Sequence, residues 1–282
     1  MSEPRTLPRE SSEHPATGAA ILRPFRRYVT GFVNCHDFSI LPRIMHSDYR
    51  LFTSGMTVAG RDDAYKSAVA RQLEQFPGLL FTLHEILVTG AHICVRFTEH
   101  GASRLHDNAR AAWTSIAIYE VSGGLMSSCT IEQDYFSRRR QLIDGQPMAV
   151  DPPAIAPWDE AEQMPDRDAE KIVRDWLNSG DWLDCKDVML DDESATGKRE
   201  RIIDGGSVEI DLIVSGGGRV AFHAVHSGNL APDFGEVSGA AEQPVSIHMS
   251  GLVTVDKGRV VAGHIIRDRW GLYRRLSKGN RR

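Results

Sequence analysis

Apolar positions early in the chain recur at helical spacing. Leu22, Phe25, Val29, Phe32, Val33 and His36 follow an i, i+3, i+4 rhythm that puts them on one buried face. A shorter run of the same kind holds Ile40, Leu41, Ile44 and Met45. Gly60-Arg61-Asp62 then opens a third helix, with Tyr65, Ala68, Val69, Leu73 and Phe76 inward and Pro77 as its stop. Beyond Pro77 the apolar period becomes that of a strand. Strands are predicted over 79–88, 91–99, 110–121 and 125–135, with turn signals at Thr89-Gly90 and Ser122-Gly123-Gly124. Helices followed by a run of antiparallel strands make an α+β layout.

Residues 144–166 carry Pro147, Pro152, Pro153, Pro157 and Pro165 and no amphipathic period, which reads as a linker. A helix restarts near Asp168, and the pattern then repeats. Val29, Phe32, Asn34, Asp37, Phe38 and Met45 align with Val173, Trp176, Asn178, Asp181, Trp182 and Met189 at one constant offset. The strand pair ending at Gly101 aligns with the pair ending at Gly228, and the segment Asp134 to Leu142 aligns with Asp268 to Leu276. Between Met189 and Gly228 the offset shortens, and the missing stretch falls on the third helix. Shared order, spacing and punctuation indicate a tandem duplication. The expected organisation is a disordered lead-in over 1–18, a complete domain over 19–143, the linker over 144–166, a second domain over 167–277 with its third helix shortened, and a basic tail over 278–282.

The 282 residues suit two domains, and a formal net charge of −5 argues against nucleic acid or an anionic membrane as partner. No apolar run reaches the roughly 20 residues of a membrane helix, and the lead-in lacks the apolar stretch of a signal peptide. Cys35, Cys94, Cys129 and Cys185 are scattered, as expected of reduced thiols in a cytoplasmic protein.

Gly60-Arg61, Phe76-Pro77, the Gly90 turn, and Asp134 with Arg140-Gln141-Leu142 resemble the motifs of the SnoaL-like polyketide cyclases, a branch of the nuclear-transport-factor-2-like superfamily. Gly258-Arg259-Val260-Val261, Asp268 and Leu276 fill the corresponding places in the second half. The resemblance implies two cone-shaped domains, each a curved antiparallel sheet wrapped around helices, of the cystatin-like α+β barrel type. It also implies an apolar pocket in which an Asp at the place of Asp134 or Asp268 is the acid/base of an aldol closure. The resemblance is not uniform. Thr53 and Gly197 stand where ketosteroid isomerases of this fold carry a base, and Asn34 and Asn178 where its dehydratases carry an acid. Tyr119-Glu120 and Val253-Thr254 stand where the cyclases use a His.

The candidate chemistry follows from that fold. A carboxylate held in an apolar cone is desolvated, its pKa rises, and it can take and return a proton without metal or organic cofactor. Asp134 is the expected base, the alternative being an ion pair with Arg138 or Arg139; its strand face also carries Ser128, Thr130 and Glu132. Tyr28 or His100 is the expected donor, and Asp268 a supporting carboxylate. Phe32, Tyr65, His84, Trp113, Tyr119 and Trp176 are expected to line the ligand site. His223 and His226, three apart on a strand, point to opposite faces and cannot share an ion, so no metal is assigned. The expected partner is a small hydrophobic or aromatic molecule, with the oligomeric state open. The reading is an acid/base cyclase, lyase or dehydratase, the lyases that release formaldehyde from lignin-derived diaryl diols being one instance. The alternative is a non-catalytic binding or dimerisation protein of the same fold.

Overall fold

A computed structural model of the chain describes residues 18–231, 234 and 242–279, so the lead-in up to residue 17 and the last three residues of the basic tail lie outside the described residues. The first apolar helical face becomes α1 (Gly18–Arg27), which widens into a π-type turn over Tyr28–Val33. Its end is pinned to the sheet by Asn34. The Asn34 side chain accepts from Phe81 N at 2.7 Å and donates to Phe81 O at 3.2 Å, so both ends of its amide are used in holding the helix to the strand that carries Phe81. A 3-10 turn over Phe38–Arg43 leads to the hairpin β1 (Met45–Thr53) and β2 (Met56–Ala59). The third expected helix is α2 (Lys66–Gln75), entered through a π-type turn over Arg61–Tyr65. Then come β3 (Leu80–Thr89), β4 (His92–Ser103), β5 (Ala109–Ser122), β6 (Leu125–Gln133) and α3 (Tyr135–Asp144).

The six strands form one sheet in the order β2-β1-β6-β5-β4-β3, antiparallel except that β1 lies parallel to β6. The concave face wraps α1, whose Leu22 and Phe25 meet Ile93, Val95, Phe97 and Tyr119 in a single buried cluster. One boundary differs from expectation. The last strand stops at Gln133, and Asp134 leaves the strand to cap α3, its Oδ1 accepting from Ser137 N at 3.1 Å. An Asp satisfies an orphan helix N–H better than it serves a strand.

The second half has α4 (Arg167–Ser179), β7 (Val188–Leu190), α5 (Glu193–Thr196), β8 (Ile203–Gly216), β9 (Arg219–Leu230), β10 (Pro244–Asp256), β11 (Arg259–Arg267) and α6 (Arg269–Gly279). Its sheet runs β7-β11-β10-β9-β8, with β7 parallel to β11. The order and directions match those of the first sheet without β2, and the four-residue α5 stands where the third helix is expected to shorten. Gly217 and Gly218 form the β8–β9 turn at φ +56 and +78, a conformation that L residues rarely adopt. α6 is capped as α3 is: Gly271 N donates to Asp268 Oδ1 at 2.8 Å, and a Cβ on Gly271 would fall 1.8 Å from Asp268 Oδ2.

The two sheets pack convex face to convex face. Leu87, Cys94, Ile116 and Ile118 of the first meet Val214, Ala221, Leu252 and Ile266 of the second, so the central strands are buried on both sides. The proline-rich segment contains one short helical turn, Pro157–Asp159, and is tied along the edge strand β3: Ala154 N donates to Leu83 O and Gln163 N to Val88 O, each at 2.8 Å. That covers an edge otherwise open to further pairing.

Charged side chains lock one end of the seam. Arg269 Nη2 donates to both oxygens of Asp134 at 2.7 Å and to Asp192 Oδ1 at 2.8 Å, and its Nη1 reaches Glu200 Oε2 at 3.0 Å. Arg267 pairs with Asp191 at 2.6 Å, and Arg140 with Asp192. Arg269 and Asp134 are each 1% exposed, so neither charge has water to fall back on. We expect Arg269→Met to cost about 3–5 kcal/mol in chemical denaturation, because Asp134 loses its cation inside the seam. Asp134→Asn should cost less, since Arg269 keeps Asp192 and Glu200 and Asn still caps α3.

Candidate functional site

Alternation along β4 turns Ile93, Val95 and Phe97 into the first cone, and the next residue of that series is Glu99. It is buried, and three donors converge on its Oε2: Gln72 Nε2 at 3.0 Å, Trp113 Nε1 at 3.0 Å and Gln133 Nε2 at 2.8 Å. Among the described residues Oε1 accepts no hydrogen bond. Burial pushes the Glu99 carboxyl above its ordinary range, although the three donors pull the other way.

Phenols line the same cavity. Tyr65 OH donates to Tyr28 OH at 3.1 Å, and Tyr49 and Tyr119 bracket Cys129. Burial raises all four phenols, and Glu99 adds to the rise at Tyr28. Each therefore stays a protonated donor around neutral pH. The enclosed space is about 70 Å³. Through Leu51, Val69, Gln72 and Gln133 it continues into a cleft of about 810 Å³ between the two halves. Arg71, Arg138, Arg274 and Arg275 line that cleft, with Asp268 its one acid and Met56 and Trp270 among its apolar walls. Arg138 lies 4.1 Å from the Tyr135 ring centre and 4.9 Å from that of Trp113, and Tyr135 OH donates to Gln133 Oε1. An unbroken polar path therefore runs from the cleft to Glu99.

The sequence-derived candidates divide by location. Tyr28, Tyr65 and Tyr119 line the cavity. Trp113 reaches it through its bond to Glu99, and Phe32 backs the wall, packed on Tyr28 and Tyr65. Asp134 lines neither cavity nor cleft. The face it shares with Glu132 turns away from the cone into the seam, and its partner is Arg269, not Arg138 or Arg139. His100 bonds Thr82 Oγ1 at 3.0 Å, and His84 lies between Thr98 Oγ1 at 2.8 Å and Pro152 O at 3.0 Å; both sit on the face of the first sheet away from the cone. Asp268 lines the cleft. Trp176 belongs to an open cavity of about 920 Å³ in the second half, apart from the cone of the first. Glu99 was legible as the one acid in an apolar alternation, a signal masked by its neighbour His100. By the alignment of Gly101 with Gly228, its place in the second half is held by His226, which lines that open cavity.

Polar groups also gather in the seam. Glu132, His223 and His248 present ligand atoms within 4.8 Å of one another, the one group of metal-ligand type among the described residues. Burial lowers the His223 pKa, but Asp211 and Glu132 outweigh it and push it up to about 9.

Residues 25–128 match the family model described as the SnoaL-like domain. No curated protein matches the chain in sequence. Solved structures similar to it include a candidate SnoaL-like polyketide cyclase from Jannaschia sp. CCS1, 14% identical, with 47% of this chain covering 97% of that one at a TM-score of 0.40. TsrD from Streptomyces laurentii is 21% identical, the shares being 44% and 95% and the TM-score 0.40. An LEH-like epoxide hydrolase from M. tuberculosis is 18% identical, with shares of 47% and 91% and a TM-score of 0.38.

The cysteines report on how closed this interior is. Cys129 and Cys94 are buried thiols pushed up to about 12, while Cys35 is exposed. Since the thiolate is the reacting form, a disulfide reagent at pH 8 should modify Cys35 fast and Cys185 more slowly. Cys94 and Cys129 should react only after denaturant is added. Rapid modification of Cys129 in the native protein would show an open cone.

Proposed function

We propose that the chain is an acid/base enzyme acting on a small aromatic molecule, with Glu99 as the proton-transferring carboxyl and Tyr28 as the oxyanion donor. One observation carries the reading: a buried carboxyl with one uncommitted oxygen shares a small cavity with phenols that stay protonated. Glu99 takes a proton from carbon next to a carbonyl, and Tyr28, which accepts from Tyr65, donates to the enolate oxygen. The proton then passes to the alkoxide formed with a new carbon–carbon bond or to a hydroxide leaving from the neighbouring carbon. Aldol closure and dehydration share that sequence. A retro-aldol runs it in reverse, Glu99 taking the proton of the β-hydroxyl as the carbon–carbon bond breaks and returning it to the enolate carbon. None needs a cofactor to move the proton. Because the enclosed space is small, only the reacting end enters it. The remaining bulk lies in the cleft, whose arginines suit a phenolate or carboxylate tail.

The same reading takes the two halves as diverged tandem copies. Matching strand order, matching parallel closure and aspartate caps at Asp134 and Asp268 support it. The second copy then serves as the wall of the cleft and the partner of the seam.

Deuterium incorporation next to the carbonyl of small aryl ketones, followed by NMR, tests the chemistry. Glu99→Gln should lower kcat by roughly 10²–10⁴-fold, and Tyr28→Phe by roughly 10²–10³-fold. Because the base must be ionised, wild-type turnover should fall as pH drops through a pKa raised above the usual carboxylate value. For stability the sign is opposite. A carboxyl whose folded pKa is raised favours folding below its unfolded pKa, and that favour is lost as pH rises through the folded pKa. Glu99→Gln should therefore leave Tm at pH 7 unchanged or higher. Undiminished exchange in Glu99→Gln would refute the assignment.

A further inference from the structure

Convex-to-convex packing brings three strands from both halves to one point. β6 contributes Glu132, β9 His223 and β10 His248. Glu132 is fully buried, and its Oε1 accepts from Ser54 N at 2.9 Å and lies 3.2 Å from His223 Nε2. Its Oε2 has no hydrogen-bond partner among the described residues, and neither has the buried Nδ1 of His248. Such orphaned polar atoms are costly unless something else satisfies them. The rings of His223 and His248 are 5.6 Å apart and inclined by 27°.

Asp211 gives the cluster its direction. Both its oxygens lie within bonding reach of His223 Nδ1, at 2.8 and 2.9 Å, which orients Nε2 towards Glu132. A carboxylate behind an imidazole, holding its far nitrogen at a shared point, is how metal-binding histidines are commonly oriented. We propose that Glu132, His223 and His248 bind a divalent transition metal of the zinc class in the seam between the two sheets, with Asp211 as the outer carboxylate.

The chemistry of the donors selects that class. Two imidazoles and one carboxylate suit zinc and its neighbours, whereas calcium and magnesium prefer oxygen donors alone. Zinc bonds of about 2.0–2.2 Å place neighbouring ligand atoms of a tetrahedron roughly 3.3 Å apart. The spread of up to 4.8 Å therefore needs only a small inward turn of the side chains. Three protein ligands leave one position for water. The way in is a groove of about 290 Å³ lined by Asp211, His223, Phe52 and Glu120, while His248 borders the cleft on the other side. His223 and His226 do point to opposite faces, as their spacing requires, for His226 packs against Trp182 and its Nε2 lies 2.9 Å from Gly205 O. The partners of His223 are instead far along the chain: Glu132 lies 91 residues away and belongs to the other half.

Isothermal titration of ZnCl₂ into tag-free, EDTA-treated full-length protein should show one equivalent bound and a raised Tm. Glu132→Gln and His248→Ala should each abolish that binding. Asp211→Asn should weaken it roughly 10–100-fold, as loss of an outer carboxylate does. His226→Ala, on the opposite face, should leave it intact. Because a seam variant can fail to fold, Co²⁺ added to wild-type protein gives a second reading. The intense visible bands of a four- or five-coordinate site support the proposal, and the weak spectrum of a six-coordinate aquo ion overturns it. Absence of zinc binding, or binding that survives Glu132→Gln and His248→Ala, overturns it equally.

Discussion

Packing two curved sheets convex face to convex face leaves the central strands with no side in water. Concave faces are filled by α1 and α4, and convex faces by each other, so Ile116, Ile118, Ala221 and Leu252 are buried where an isolated sheet would meet solvent. Apolar pairs account for the middle of the seam. Towards its ends each strand carries polar residues that lose water on packing and need a partner on the opposite sheet. Arg269 with Asp134 is that solution at one place, and His223 with Glu132 at another. At the second the pairing is incomplete.

The same constraint separates the two kinds of carboxylate in the first half. Along β6 and its extension, Glu132 and Asp134 face the seam and answer to the other half of the molecule. Glu99 on β4 faces the cone and answers only to neighbours from its own half: Gln72, Trp113 and Gln133. Both environments raise a carboxyl by burial, so the direction of the shift alone does not distinguish them. Access does. A cavity opens onto Glu99, while the Asp134 oxygens are taken up by Arg269 and the α3 cap.

Fold legibility followed the strength of periodicity. The helix of Leu22 to Val33 and the strands over 79–133 announce themselves, because their apolar positions repeat over several turns or alternations. The hairpin of β1 and β2 does not, because Tyr49 and Leu51 are its only clear inward alternation and it lies at the sheet edge. Site legibility was poorer for a physical reason. The recurrence of Asp134 and Asp268 was visible, but a repeated aspartate before a helix is what capping also requires. Face assignment by alternation put Glu132 and Asp134 together, yet alternation alone does not say which face is concave. Only the path of α1 across the sheet settles that, and it puts Glu99, not Glu132 or Asp134, on the face of the cone.

Arg269 and Asp134 are separated by 135 residues, and the two sheets are each closed by a parallel strand that pairs with the last one made. During synthesis the first sheet can close once β6 has emerged, while its outer layer of Leu87, Cys94, Ile116 and Ile118 still lacks a cover. That layer stays wet until β9, β10 and β11 follow. A second nascent chain at the same stage offers the same bare layer. The tethering of the two halves is therefore a matter of timing as well as geometry. It raises the local concentration of the correct cover over that of a neighbouring chain, and the latch at Arg269 closes only once β11 and the start of α6 have left the ribosome.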